Sequence, residues 1–327
     1  MTDLNELWNY IRTVETAKPE SKNFIKELKN SLLFDLDIIT KRDEKSRHKQ
    51  LERLSNYIQN RINELQNPKD CNKAEKIVCT LNKGCGFGCQ IHHLTYCMVI
   101  ALATKRTLIL NSQNWRYVNS NKIHGSEKAK SPSSSLWELA FQPLSHTCLN
   151  DSGSPRTNWL NSIDHNHHHA RNVQVIDLPI LDSLRPRPPY LPLTIPEEIS
   201  DELTTLHGSP FVWFIGQILR YIMKPSDEIE QFLHSKRNEF HFESPIVGVH
   251  VRRTDKINTE ASFHSLSEYM VHVEDYFDRL ELFKKRQNDE TTTKRIVYLA
   301  TDDSSVWRKE VPKFEKKGYK FIGDSEI

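Results

Sequence analysis

Apolar and polar positions alternate with a helical period over residues 4 to 66. Leu4, Leu7, Trp8, Ile11 and Val14 form one apolar stripe, and Phe24, Ile25, Leu28 and Leu32 begin a second. Leu51, Leu54, Ile58, Ile62 and Leu65 step by 3, 4, 4 and 3 residues, which fits a third helix. Pro19 separates the first two helices, the charged run Lys41 to Lys49 separates the last two, and Pro68 closes the region. Helices this polar on their outer faces pack together as a hairpin or against a partner; the heptads are short for a dimerising coiled coil.

From Lys76 the pattern changes to alternating strands and helices. Lys76–Leu81, Thr107–Leu110, Val173–Leu178, Ile246–Val251, Ile296–Ala300 and Lys320–Ile322 read as strands, and Ile91–Thr104, Trp213–Met223 and Tyr269–Leu280 as helices. The strand Ile246–Val251 is almost wholly apolar, as a buried parallel strand is. Residues Asn119 to Ser135 and the His-rich run Asp164 to His169 read as polar surface insertions. Pro186, Pro188, Pro189 and Pro192 impose an extended connector, with PxxP spacing as a secondary reading. The fold class is α/β. The expected domains are a helical stem over 1–68, a disulfide-stapled open-sheet domain over 69–245, and a Rossmann-like domain over 246–327 with fewer strands than a doubly wound half needs.

Composition narrows the functional classes. The 327 residues carry 45 Lys+Arg against 43 Asp+Glu, so no concentrated basic face points to nucleic acid. No apolar run approaches a membrane span, and the start, Met1 to Glu6, does not read as a signal peptide. Six cysteines occur, at 71, 79, 85, 89, 97 and 148, and five fall within 27 residues. Such clustering favours disulfides, though sequence alone does not choose among the possible pairings. Zinc is the competing reading, with Cys85 and Cys89 near His92 and His93, but the spacing of Cys71 and Cys79 is not that of metal ligands. Asn150-Asp151-Ser152 is an N-glycosylation sequon.

Three places carry candidate chemistry. The strand Ile246–Val251 ends in His250, Arg252, Arg253, Thr254, Asp255 and Lys256, and ligands of open α/β sheets bind at the carboxyl ends of strands. Guanidinium forks match phosphate oxygens, so the arginine pair reads as a diphosphate clamp; the bland alternative is an ion-pair network, for instance Arg253 with Asp255. The next strand ends in Thr301-Asp302-Asp303, which reads as a ribose or Mg²⁺ contact, as support for an arginine, or as a helix N-cap. Between a strand and a helix lies Asn82-Lys83-Gly84-Cys85-Gly86-Phe87-Gly88-Cys89, whose amides can face an anion; the alternative is a turn with two glycines at positive φ.

Val247-Gly-Val-His-Val-Arg-Arg-Thr-Asp-Lys256 closely resembles the donor-binding motif of the eukaryotic core α1,6-fucosyltransferases. Leu65-Gln-Asn-Pro-Lys-Asp-Cys71, Asn82-Lys-Gly-Cys85, Ser112-Gln-Asn-Trp-Arg-Tyr117, Arg185-Pro-Arg-Pro-Pro-Tyr-Leu-Pro192, Glu268-Tyr-Met-Val-His-Val-Glu274 and Tyr298-Leu-Ala-Thr-Asp-Asp303 resemble the same family, in the family's order. The resemblance implies transfer of fucose from GDP-fucose to the innermost GlcNAc of N-glycans, with inversion, no metal and no cofactor. It further implies a GT-B-like arrangement, a homodimer formed through the N-terminal helices, and a single-pass type II protein of the Golgi membrane and lumen.

It implies site roles as well. Arg252 would hold the β-phosphate of GDP, His250 the guanine side and Tyr117 the ribose, while the Gly88 and Cys89 amides would approach the pyrophosphate. Arg253, Asp255, Asp302 and Asp303 match positions needed for activity, with Arg253 expected in a supporting carboxylate network. Glu260 matches the general base, with Lys256 beside it; Lys83, Asp182 and Glu260 match acceptor positions. The implied disulfides are Cys71–Cys148, Cys79–Cys97 and Cys85–Cys89. Against the family, the chain is expected to be truncated at both ends, lacking the membrane anchor, the last part of the donor domain and the C-terminal SH3 domain. The alternatives are a non-catalytic remnant that binds glycan or partner helices, and a cytosolic zinc protein.

Overall fold

The computed structural model describes residues 10, 13, 18–113, 115, 117, 136–159, 173–180, 183–184, 187, 194–255, 257 and 262–325. The chain divides into two compact units, one of Lys45–Phe232 and one of Met1–Glu44 with Leu233–Ile327. The first arm of the expected hairpin, the polar and His-rich insertions and nearly all of the proline-rich connector lie outside the described residues.

One expectation is corrected at once. The charged run at 41–49 does not divide two helices; helix α1 runs unbroken from Pro19 to Gln66. Lys, Arg and Glu are good helix formers, the run holds no Gly or Pro, and its charges need only solvent. Pro19 is the helix's first residue, where its missing N–H costs nothing, and Asn67-Pro68 ends it.

In the Lys45–Phe232 unit, strands β1 (Lys76–Thr80), β2 (Thr107–Asn111), β3 (Arg156–Asn158) and β4 (Val175–Asp177) form a parallel sheet in the order β2-β1-β4-β3. Helix α2 (Phe87–Thr104) crosses from β1 to β2 and is apolar almost all round, so it is buried along most of its length. Leu54, Ile58 and Ile62 of α1 join Ile77, Leu94, Met98 and Leu108 in one core. The sheet's other face is smaller: Val78, Ile109 and Val175 pack with Cys148. β2 is an edge strand, and Gln66 covers part of it. Its side chain accepts from Leu108 N at 2.8 Å and donates to Leu108 O at 3.1 Å, standing in for a neighbouring strand. Helices α3 (Glu197–Leu206), α4 (Pro210–Ile222) and α5 (Asp227–Glu239) follow, and α4 packs Phe214, Ile218 and Ile222 into the core; α5 ends in the other unit.

The other unit holds a parallel sheet of β5 (Ile246–Val251), β6 (Arg295–Thr301) and β7 (Tyr319–Ile322), in that order. Helix α6 (Leu266–Arg286) links β5 to β6, and a π-turn (Val306–Glu310) with helix α7 (Val311–Glu315) links β6 to β7. This βαβαβ unit has the topology of half a dinucleotide-binding fold. Val249 and Val251 pack on Leu266, Met270, Val273 and Phe277. Within the same unit α1 packs on α6, where Lys29 Nζ lies 2.8 Å from Asp275 and Phe34 meets Phe283 edge-on at 5.0 Å. Gly323 ends β7 at φ 144°, and a Cβ there would collide with the Leu299 carbonyl oxygen.

The structure pairs all six cysteines, as Cys71–Cys148, Cys79–Cys97 and Cys85–Cys89, the pairs that the resemblance implies. Cys79–Cys97 ties β1 to α2, and Cys71–Cys148 lies on the smaller face of the sheet.

Candidate functional site

The parallel register sets Val251 beside Thr301, so the loops leaving β5 and β6 emerge side by side. That adjacency brings Arg252 and Arg253 after β5 beside Asp302 and Asp303 after β6. Arg253 N donates to Asp302 Oδ1 at 2.8 Å, and Thr254 donates to Asp302 Oδ2 through its N–H at 3.2 Å and its hydroxyl at 2.6 Å. Asp302 thus clasps the neighbouring loop. Asp303 accepts from Ser305 N at 2.9 Å, capping the turn that opens the next helix. The two aspartates have separate structural tasks, one of which is the cap.

Arg252 and Arg253 point to different environments. The Arg253 side chain is only 4% exposed. Its Nη1 lies 2.6 Å from Glu310 and 3.4 Å from Asp303, its Nε and Nη2 donate to His264 O at 3.1 and 2.7 Å, and its guanidinium stacks 4.3 Å from the Phe263 ring centre. Four of the fork's five N–H groups are used within the protein. Arg252 is about half exposed at 48% and makes a two-oxygen contact with Asp255, at 2.8 and 2.9 Å. The pairing of Arg253 with Asp255 is therefore corrected: Asp255 goes to Arg252, and Arg253 takes Asp303 and Glu310. The cause is direction, since successive residues leaving a strand point to opposite faces.

The carboxylates respond to this setting. Partial burial pushes Glu310 up, but hydrogen bonds from Arg253 and from Leu266 N outweigh it and hold the group below its ordinary range. Asp302 follows the same pattern, with burial opposed by Thr254 and the Arg253 amide. Asp303 is lowered chiefly by Ser305, with Arg253 adding to it. All three stay ionised around Arg253, whose own pKa is raised, first by Glu310. His250 stands exposed on the face of β5 opposite Val249 and Val251.

The Gly-rich loop belongs to the other unit. Helix α2 starts there with Gly86 as its N-cap residue, no side-chain cap and no acidic residue in its first turn. None of Gly84, Gly86 and Gly88 has a positive φ, which corrects the turn reading, and a Cβ at any of them would meet nothing within 4 Å. What glycine provides there is bare backbone at a helix N-terminus, the arrangement that accommodates anions. The loop is held on three sides. Cys85 is bonded to Cys89, Gln90 Nε2 donates to Lys83 O at 2.6 Å, and Tyr117 donates its hydroxyl to Cys85 O at 2.7 Å. Phe87 meets Tyr117 edge-on at 5.6 Å, and buried Trp115 lies beneath both.

Asp182, Lys256 and Glu260 lie outside the described residues. His93 Nε2 lies 3.7 Å from Cys79 Sγ and 3.8 Å from Cys97 Sγ, but both sulfurs are in a disulfide and offer no thiolate to a metal. Sequence reasoning missed Glu310, Phe263 and Gln90. Glu310 carries no local signal, because it meets Arg253 across 57 residues.

Residues 2–327 match the model of the alpha-(1,6)-fucosyltransferase N- and catalytic domains. The chain belongs to the alpha-(1,6)-fucosyltransferase family. It is similar to the alpha-(1,6)-fucosyltransferase of Drosophila melanogaster, 42% identical over 346 aligned residues that cover 100% of this chain and 51% of that protein. It is also similar to the alpha-(1,6)-fucosyltransferase of Caenorhabditis elegans, at 35% identity over 87% of this chain and 46% of that one. The chain thus spans about half the length of the curated relatives it matches. Among solved structures, fucosyltransferase NodZ from Bradyrhizobium aligns at 15% identity and a TM-score of 0.39, over 78% of this chain and 81% of that one. Arabidopsis thaliana FUT1 in complex with GDP aligns at 12% identity and a TM-score of 0.40, over 84% and 67%. Neither likeness is close enough to transfer a residue's role.

Proposed function

We propose that this chain carries the working residues of a core α1,6-fucosyltransferase, which moves fucose from GDP-fucose to the innermost GlcNAc of N-glycans with inversion and without metal. The match of the family over residues 2–327 carries this reading. The strand-end geometry supports it. Arg252 is an exposed cation at the carboxyl end of a parallel strand, held in place by exposed Asp255. An exposed ion pair contributes only about 0–1 kcal/mol, so a diphosphate can replace Asp255 at little cost. Arg253 spends four of its five N–H donors on Glu310, Asp303 and the His264 carbonyl and acts as a positioning residue.

In the reaction the acceptor's 6-hydroxyl oxygen attacks the fucose anomeric carbon as the bond to the β-phosphate oxygen breaks. Glu260 takes the hydroxyl proton, and Arg252 holds the negative charge left on GDP. The Gly88 and Cys89 amides serve the diphosphate, Tyr117 the ribose, His250 the guanine side, and Lys83 and Asp182 the acceptor. The exposed stripe Phe24, Leu28 and Leu32 on α1 supports a homodimer. Among the described residues no helix is long and apolar enough to cross a membrane. The Golgi lumen is the proposed site of action, a reading that the three disulfides support.

Titration calorimetry with GDP tests the donor reading. Micromolar binding is expected, weakened at least about tenfold, or ~1.4 kcal/mol, in Arg252→Ala with the thermal midpoint unchanged. Absence of GDP binding to the wild-type chain overturns it and favours the non-catalytic, glycan-binding alternative.

A further inference from the structure

Asn150-Asp151-Ser152 is the one Asn-X-Ser/Thr triplet in the 327 residues. It follows Cys148, which is bonded to Cys71, so it sits on a loop fixed by a disulfide. Asn150 is exposed, as are Leu149 before it and Asp151 after it.

The two ends of the Asn150 amide are treated differently. Its Oδ1 accepts from Lys76 Nζ at 3.1 Å and from Ser152 N at 3.2 Å, and the Ser152 hydroxyl also donates to it. Lys76 is fully buried at the start of β1, and its Nζ also donates to Ser152 O at 2.7 Å. Among the described residues, Asn150 Nδ2 has no hydrogen-bond partner. Oδ1 is thus held by a buried ammonium and by the sequon's own serine, while the nitrogen is left over.

We propose that Asn150 is an N-glycosylation site of this protein, and that the loop is built to carry the glycan. The attachment chemistry fits the division of the amide. A lipid-diphosphate-linked oligosaccharide is the co-reactant: Nδ2 attacks its anomeric carbon, the bond to the diphosphate oxygen breaks, the lipid diphosphate leaves and Nδ2 gives up one proton. The product is still an amide with its carbonyl intact, so the contacts of Oδ1 with Lys76 and Ser152 persist and orient the linkage. The first sugar then lies beside Leu149, which is 68% exposed. Transfer takes place in the compartment where disulfides form, so the inference rests on the lumenal reading above.

The test is expression of the full chain behind a secretion signal in insect cells, followed by digestion with peptide-N-glycosidase and peptide mass spectrometry. A loss of one glycan's mass on digestion, with Asn150 converted to aspartate, is expected. Asn150→Gln and Ser152→Ala are each expected to remove the shift; the serine variant keeps the asparagine and its contact with Lys76. A control variant, Glu290→Thr, builds a second sequon on Asn288 in an exposed turn. An unmodified Asn150 overturns the proposal in either case. If Asn288 is then modified in the control, the chain was open to transfer in the lumen and the Asn150 proposal alone falls; if neither is modified, the chain does not tolerate that compartment and the lumenal reading falls with it.

Discussion

Glu310 Oε1 lies 2.6 Å from Arg253 Nη1, while its second oxygen accepts from Leu266 N at 2.7 Å, the first amide of α6. One carboxylate therefore joins the strand-end loop, the start of α6 and the π-turn after β6. Glu310→Ala leaves a buried guanidinium without its main partner. It is expected to destabilise the chain by about 3 kcal/mol, read as a lower urea midpoint. Glu310→Gln keeps an acceptor for Leu266 N and loses less. Arg253→Ala should behave like Glu310→Ala, whereas Arg252→Ala should leave the midpoint within about 0.5 kcal/mol of wild type.

Acid should undo the same network. Glu310, Asp302 and Asp303 are held below their ordinary values of 4.5, 3.8 and 3.8. For groups lowered on folding, the stabilisation is fully present above the ordinary value and is lost as pH falls through the folded value. Unfolding midpoints are expected to be flat from neutral pH to about pH 5 and to drop below that. Glu310→Gln, with one such group removed, should show a shallower drop.

The disulfides should separate stability from site shape. Cys71–Cys148 closes 77 residues and Cys85–Cys89 only 4. Loop-closure entropy then gives about 4.5 kcal/mol for the first and about 2 kcal/mol for the second. Replacing Cys85 and Cys89 together with serine is expected to give the smaller drop in thermal midpoint of the two and to weaken GDP binding. Replacing Cys71 and Cys148 together should do the reverse.

The stripe on α1 predicts association. Leu28→Glu with Leu32→Glu places charge on an apolar row that is exposed in the single chain. Sedimentation should show a shift from dimer to monomer with unchanged helical circular dichroism. A wild-type chain that sediments as a monomer at micromolar concentration would rule out the dimer.

Six of the seven strands among the described residues were legible because they are short, largely apolar runs: β5 falls at Ile246–Val251 as the pattern predicts. The helix break at 41–49 was misread because charge marks exposure, while only proline, glycine or a competing cap ends a helix. The short strand β3 was invisible, since three residues, Arg156–Asn158, carry no period. At the site, the supporting character of Arg253 was legible from its carboxylate-rich surroundings. Its partner was not: Glu310 reads as one more charge on a helical turn until the sheet register brings β5 and β6 together. The three disulfide pairs came from the family resemblance, since spacing alone does not distinguish the possible pairings.

Gln66 and the residues before it bear on how this protein can be divided. Sequence suggests a cut near Pro68, yet Leu54, Ile58 and Ile62 are core residues of the unit that follows, each contributing about 1.5–3 kcal/mol of burial. A fragment starting at residue 69 would lose those side chains and would also release the Leu108 amide and carbonyl that Gln66 occupies. An uncovered strand edge beside an opened core is a template for aggregation. The last turns of α1 are thus a solubility element of the sheet, and trimming for expression should leave α1 whole, since its earlier turns pack on α6.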